Sequence, residues 1–595
     1  MNNNKTELQV KETETKLTGY PSIDKPWLKY QNDSAKNFTY PQCSIYEAIY
    51  EENRHRLDNI ALSYGDTQIS YGKLFDKIEE RTEYFRNLGI KENDILTVSM
   101  LMTPEFVYDF YALSRLNALT NLIDPRTSIE GIKEYIDEAN SKIILNTDIF
   151  TNKIYQAIAN TDIKIINQSL IDTTKNLDLP LVVVSKLINF LNKCHYNNYD
   201  NFYLDGYKSN EEKLPSYKKN TPLTIVHTGG TTGFPKGVVL SHDNYNAMAY
   251  EYIKSNIGFM PKDKFLLIMP PWISYGSGML HLSMVRGMEA IIIPKLESKK
   301  MGKYLITYKP QWFAGVPAHY KIIKDSKHLI KEDLSFIKGG AVGGDAMPAS
   351  LFEEVNTFLI EKGAKRGVFP GYASTESTSA FAVRQNENYV PGSVGIPLPG
   401  CTVGVFKYDF ENEISTDQEL KYNEVGEICL NTENVMLGYF KNEELTNKVL
   451  KKHSDGKTWI HTGDLGYVSE SGIIYINGRI KEMIIRHDGF KVYPNMIEKI
   501  ILSHPMVDSV KVVGIKDPNH NTGSVPKVYL IPKKEYLNKE KDIIRQVKKI
   551  IALKLPKYYL PESYEVCTKL PLTAIGKIDI QKLQNTKVLT KKLYK

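Results

Sequence analysis

The sequence predicts an α/β protein: a large N-terminal domain of layered sheets and helices over residues 1–478, then a small α+β domain over residues 479–595. Three observations predict it. Helix-like stretches alternate with short apolar runs, the runs close on Gly, Asn or Asp, and the texture of the chain changes near Gly478. At 595 residues and 42% hydrophobic, the chain can bury more than one core.

Over residues 46–146, YGKLFDKIEERTEYFRNLGI carries apolar residues at helical spacing, whereas DILTVSML and KIILNT are apolar runs of strand length. That rhythm suits layered helices and mainly parallel strands. Residues 197–220, polar and rich in Tyr and Asn, read as an exposed connection. LTIVH then begins a strand that ends in a glycine-rich loop, and FLLIMP, GMEAIIIP and GGAVGGD continue in the same style. Past Gly478, YINGRIKEMIIRHDGFKVYP is hairpin-like, NMIEKIILSH and KDIIRQVKKIIALKL read as helices, and VDSVKVVGI reads as a strand.

The first residues, MNNNKTELQVKETETK, are polar where a signal peptide needs an apolar stretch, and no apolar run is long enough to span a bilayer. The expectation is a cytoplasmic protein without a transmembrane segment. Cys43, Cys194, Cys401, Cys429 and Cys567 are scattered with no C-x-x-C pair, against both a zinc site and a disulfide framework. A net charge of +7 is mild, with Lys and Glu interspersed, so nucleic acid is not an expected partner.

The strongest local signal is HTGGTTGFPKGVVLSH. Between Thr228 and Lys236 it places Gly229, Gly230, Thr231, Thr232 and Gly233: backbone N–H groups free to approach phosphate oxygens, hydroxyl donors, and a terminal cation. Pro235 before the lysine and Gly237 after it exclude a Walker A loop. A flap over the β- and γ-phosphates is expected.

Five further motifs follow in order: GGA at Gly339, Gly340 and Ala341; GYASTE from Gly371 through Tyr372, Ala373, Ser374 and Thr375 to Glu376; TGD ending at Asp464; GRIKEMI with GFKVYP; and LPLTAIGKID around Lys577. Thr375 offers a hydroxyl to an α-phosphate, and Glu376 is a hard oxygen ligand suited to Mg²⁺. Asp464 can accept from both ribose hydroxyls, and Arg479, read as part of a turn, is a charged donor for ribose or phosphate.

Together these motifs resemble those of the adenylate-forming superfamily of acyl-CoA synthetases, peptide-synthetase adenylation domains and luciferases, over roughly residues 45–583. The resemblance implies ATP, Mg²⁺ and CoA, or a phosphopantetheine carrier, as co-reactants. It implies that the small domain is mobile, with Lys481 at its hinge, Lys577 as the lysine bridging carboxylate and α-phosphate, and Gly489 beside the pantetheine arm. The GGA segment lines the adenine and acyl pockets in that family. The expected reaction is acyl-adenylate formation with release of pyrophosphate, followed by transfer to a thiol. A carrier-protein ligase and a catalytically silent nucleotide-binding homologue are the alternatives.

Departures from the family pattern are Gly229 in place of serine, Ala373 in place of glycine, and His227 where tyrosine is common. In MPPWISYGSGML, Ile273 stands where acyl-CoA synthetases often have histidine, and no aspartate is present to hold an amino acid's ammonium. Trp272, Tyr275, Gly278 and Gly340 are the expected acyl-pocket lining, with room for a fatty or aryl acid.

Overall fold

The helix Tyr71–Asn87 shows how the sequence is converted into structure. The Ser70 hydroxyl accepts the Lys73 N–H at 3.2 Å to cap its start, and Tyr71, Leu74, Phe75, Ile78 and Phe85 fall on one buried face. Helix Pro104–Arg115 begins with Thr103 as cap and proline in its first turn, and it is buried on nearly every side. The computed structural model describes residues 17–174, 200–201, 213–228, 235–294, 298–344, 347–385, 390, 392–571, 578–585 and 593–594.

Two large, mostly parallel sheets follow from the apolar runs. One has eight strands, with Leu119–Leu122 between Ile95–Ser99 and Pro222–Thr228, and Lys236–Ser241 and Gly438–Tyr439 added antiparallel at its edge. The other has nine, with Lys264–Leu267, Trp312–Gly315, Gly339–Val342 and Val368–Ala373 in parallel succession. A third, antiparallel sheet of six strands contains Thr458–Val468 paired with Ile474–Arg479. The strands expected from DILTVSML, KIILNT, LTIVH and FLLIMP all form.

The change of texture near Gly478 coincides with a change of core. Ile474 belongs to the principal apolar cluster, whereas Ile484 opens a separate one that runs to Val566. In this second cluster, helices Pro494–Leu502 and Glu540–Lys554 pack on strands Val507–Lys516, Ser524–Pro532 and Ser563–Val566. No helix among the described residues is long and apolar enough to cross a membrane.

Candidate active site

The glycine-rich loop joins two antiparallel strands, with Thr228 directly opposite Lys236. The loop is therefore a hairpin connection and does not open a helix. Gly229, Gly230, Thr231, Thr232 and Gly233 lie outside the described residues. At the strand end before the loop, His227 Nε2–H donates to Asn121 Oδ1 at 2.7 Å and its ring lies 4.2 Å from that of Tyr135. Burial pushes this imidazole down to about 3, so it is neutral.

Lys236 Nζ sits 5.3 Å over the Tyr439 ring, and the Tyr439 hydroxyl donates to Glu376 Oε1 at 2.8 Å. Burial lowers the Lys236 pKa, and neighbouring Lys481 lowers it further, against an opposing pull from Glu376. Three motifs separated by more than a hundred residues each thus come within electrostatic reach of one another: the loop lysine, the STE carboxylate and Lys481.

The backbone under Glu376 is pinned. Ser374 Oγ accepts the Ser377 N–H at 3.1 Å, Met436 N–H donates to Glu376 O at 2.8 Å, and Thr378, at φ +60°, donates from Oγ1 to Asn434 O at 2.6 Å. Thr375 and Glu376 occupy a short 3-10 turn, Thr375–Ser377, that follows the strand carrying Gly371, Tyr372 and Ala373. Ala373, standing where glycine was expected, is exposed at the end of its strand.

Tyr372 donates to Asp464 Oδ2 at 2.5 Å, and Arg479 Nε lies 3.3 Å from Asp464 Oδ1. Asp464 and Arg479 face each other across paired strands, so Arg479 ends a strand where a turn was expected. Burial raises the Asp464 pKa, and Arg479 and Tyr372 partly offset it. The Arg479 side chain is 63% exposed, leaving donors free for a ligand.

The expected acyl-pocket residues divide. Tyr275 and Tyr320 both donate to Ala341 O, at 3.2 and 2.5 Å, so the GGA strand is tied to the start of helix Ser274–Arg286. Trp272 is buried beneath the Arg126 guanidinium, 5.3 Å from its ring. A Cβ at Gly278 would stand 3.0 Å from the flexible Met248 Cε. A Cβ at Gly340 would stand 2.9 Å from Phe313 Cζ and 3.0 Å from Tyr320 Oη, so that position faces packed rings. The side-chain position at Gly339 likewise meets Phe369 and Trp312.

Lys481 lies in the turn Ile480–Glu482 between the two cores. Gly489 occupies the turn of the short hairpin Ile484–Ile485/Lys491–Val492 at φ +78°, with open space where a Cβ would be. Lys577 lies outside the described residues. Tyr439, which holds Glu376, escaped sequence reasoning: MLGYFKN carries no charge pattern, and only the pairing of Tyr439 with Val238 across the sheet edge reveals its role.

Fold and site together define an AMP-forming ligase with a large domain and a small one. Residues 49–440 match the family described as AMP-binding enzyme, and residues 496–577 match the AMP-binding enzyme C-terminal domain. The chain belongs to the AMP-binding enzyme family. It is 26% identical over 578 residues to a long-chain-fatty-acid–CoA ligase of Bacillus subtilis, covering 93% of this chain and 96% of that protein. It is 29% identical over 529 residues to a probable 4-coumarate–CoA ligase of Dictyostelium discoideum, covering 87% and 90%. Among solved structures, an anthranilate CoA ligase in complex with anthranoyl-AMP superposes with a TM-score of 0.75 at 20% identity, over 94% of this chain and 99% of that one.

Proposed function

We propose that this chain is an ATP-dependent acid–CoA ligase acting on a hydrophobic carboxylic acid, fatty or aryl. The observation that carries the proposal is the convergence of Lys236, Glu376 and Lys481 beside the Tyr372–Asp464–Arg479 group. In the first half-reaction a carboxylate oxygen bonds to the α-phosphorus of ATP and pyrophosphate leaves. In the second, a thiol sulfur bonds to the acyl carbon, the C–O bond to AMP breaks and the thiol proton goes to solvent.

Thr228, Lys236 and the loop 229–233 hold the β- and γ-phosphates, Thr375 donates to the α-phosphate, and Asp464 with Arg479 holds the ribose. Gly339, Gly340 and Ala341, with residues Gly371 to Ser374, form the wall against the adenine. Lys577 carries positive charge to the reacting oxygens. Trp272, Tyr275 and Gly278 bound the acid. Glu376 fits a Mg²⁺ site, because its carboxylate is a hard ligand oriented by a hydrogen bond on one oxygen. Mg²⁺ there neutralises charge on the phosphates.

Residues 1–478 and 479–595 form the large and the mobile small domain, hinged at Lys481, with Gly489 passing the pantetheine arm in the second step. An ion pair of Lys321 with Asp508, 2.6 Å apart and partly exposed, links helix Pro317–Lys324 to strand Val507–Lys516. Such a contact is worth about 0–1 kcal/mol and does not oppose reorientation. The fatty-acid and coumarate specificities named for the relatives support a hydrophobic acid.

The test is pyrophosphate release with ATP, Mg²⁺ and a panel of fatty and aryl acids, followed by thioester formation with CoA or with a carrier protein. Release with a hydrophobic acid and a CoA product is expected. Silence with every acid would favour a nucleotide-binding homologue without catalysis.

A further inference from the structure

Residues 432–436 run beside the Glu376 turn and are gripped by a single helix. Helix His242–Lys254 directly follows the strand that begins with Lys236, and two of its residues, Asn244 and Glu251, two turns apart on one face, reach the segment. Asn244 Nδ2–H donates to Glu433 O at 2.9 Å and to Val435 O at 2.8 Å. Glu251 accepts Thr432 Oγ1–H at 2.8 Å on one carboxylate oxygen and Asn434 Nδ2–H at 2.6 Å on the other. Asn244, Glu251 and Asn434 are all buried, so these bonds are shielded from exchange with water.

From the segment the bonds run on into the turn. Asn434 O accepts Thr378 Oγ1–H at 2.6 Å, and Met436 N–H donates to Glu376 O at 2.8 Å. Thr378 stands two residues past Glu376 at φ +60° and ψ −43°, a conformation that a β-branched residue rarely adopts. Two hydrogen bonds hold it there: its hydroxyl on Asn434 O, and its N–H on Thr375 O at 3.0 Å. Strain of this kind persists only where the surroundings over-determine it, and it is common where a fixed geometry serves the site.

We propose that Asn434 is a positioning residue for Glu376: anchored on Glu251, it holds Thr378 in its strained conformation and so fixes the turn that aims the Glu376 carboxylate at Mg²⁺. The inference rests on the reading of Glu376 as the Mg²⁺ ligand. Thr375–Ser377 is a single 3-10 turn, too short to absorb a change in Thr378 φ without redirecting its middle residue, Glu376. The same helix that grips Asn434 continues from the Lys236 strand, so the loop cation and the metal-binding carboxylate are referenced to one rigid unit.

The test is equilibrium titration of the full-length chain with ATP, in saturating Mg²⁺ and in EDTA, which gives the gain in ATP affinity that the metal brings. Asn434→Ala should shrink that gain about fivefold and leave the affinity in EDTA unchanged; the effect falls below the roughly 10–100-fold range for a group bonded directly to a metal ligand because it passes through the backbone. Thr378→Val, which keeps the branched shape and removes the hydroxyl, should do the same and carries the test should Asn434→Ala not fold. Thr378→Ser, which keeps the hydroxyl, should retain the wild-type gain. Tyr529→Phe removes a buried hydroxyl bonded to Leu583 O in strand Ser524–Pro532, and should leave the gain unchanged, as a control for lost stability alone. An undiminished gain in folded Asn434→Ala or Thr378→Val, equal weakening with and without Mg²⁺, or a Thr378→Ser chain that behaves like Thr378→Val would overturn the proposal. So would a wild-type chain in which Mg²⁺ brings no gain. A wild-type chain that shows the gain but releases no pyrophosphate with any acid would count against the ligase reading alone, and the titrations would still decide the role of Asn434.

Discussion

Tyr439→Phe isolates the positioning of Glu376, the carboxylate proposed to bind Mg²⁺. The substitution removes one hydroxyl, the donor 2.8 Å from Glu376 Oε1, and keeps both the ring under Lys236 and the strand pairing of residue 439 with Val238. A hydrogen bond to a charged group contributes about 1.5–3 kcal/mol, and water can replace part of it at a half-exposed site, so the lower end applies. About 1.4 kcal/mol is a factor of about ten, within the 10–100-fold range for loss of a group that orients a metal ligand. The Mg²⁺ concentration giving half-maximal pyrophosphate release, at saturating ATP and acid, should rise about tenfold. Thioester formation from supplied acyl-adenylate should be unchanged. Tyr439→Ala, which also removes the ring beneath Lys236, should in addition raise the KM for ATP. An unchanged Mg²⁺ requirement in folded Tyr439→Phe would show that this hydroxyl does not position a metal ligand.

Four other outcomes are expected. Asp464→Asn keeps an acceptor for Tyr372 but removes the charge facing Arg479, and should weaken ATP binding by about one order of magnitude in equilibrium titration. Lys577→Ala should cut acyl-adenylate formation about a hundred-fold while sparing thiol transfer. Gly489→Ala, unclashed but strained at φ +78°, should do the reverse; parallel loss of both half-reactions in folded variants would argue against two domain orientations. Glu251, fully buried with Tyr40, Thr432 and Asn434 donating to it, is pushed up to about 7 by burial from an ordinary 4.5. The folded chain keeps a proton there that the unfolded chain loses, so this carboxyl's contribution is present below about 4.5 and is lost as pH rises to about 7, on the order of 3 kcal/mol. Buried His227, His242 and His281, pushed down to between about 3 and about 4, act oppositely below their ordinary 6.5, so the measure is the difference between wild type and Glu251→Gln. In urea unfolding that difference should grow in favour of the variant from pH 5 to pH 8; a constant difference would contradict the raised pKa.

The layers, the second core and the motif residues were legible because each rests on local chemistry. Apolar runs bounded by Gly and Asn became buried parallel strands, and the break near Gly478 falls between Ile474 and Ile484, where one apolar cluster ends and another begins. What could not be read depends on pairing across long stretches of chain. Arg479 looks like a turn residue beside Gly478, yet it ends a strand because Asp464 faces it fifteen residues earlier. Gly340 reads as pocket lining, and the rings that a Cβ there would meet, Phe313 and Tyr320, come from other elements that the sequence does not place beside it. Asn434 gave no motif, since only the fold joins it to Glu251 and Thr378.

The position of Lys481 connects these elements to the mechanism. It lies on the short turn between the two cores, close enough to lower the pKa of Lys236, and burial already disfavours the Lys236 charge. On the proposed two-orientation mechanism, two cations held together this way raise the free energy of the orientation that brings them close. A triphosphate bound at the loop supplies the missing negative charge and relieves both costs, so it favours that orientation by its differential interaction with the two cations. Linkage then requires that this orientation bind the triphosphate more tightly. On the same mechanism, departure of pyrophosphate removes most of that negative charge and restores the repulsion, so that orientation is no longer favoured. Under the proposed mechanism, the chemistry of the first half-reaction thereby releases the small domain for the second, with the hinge residue itself sensing the change.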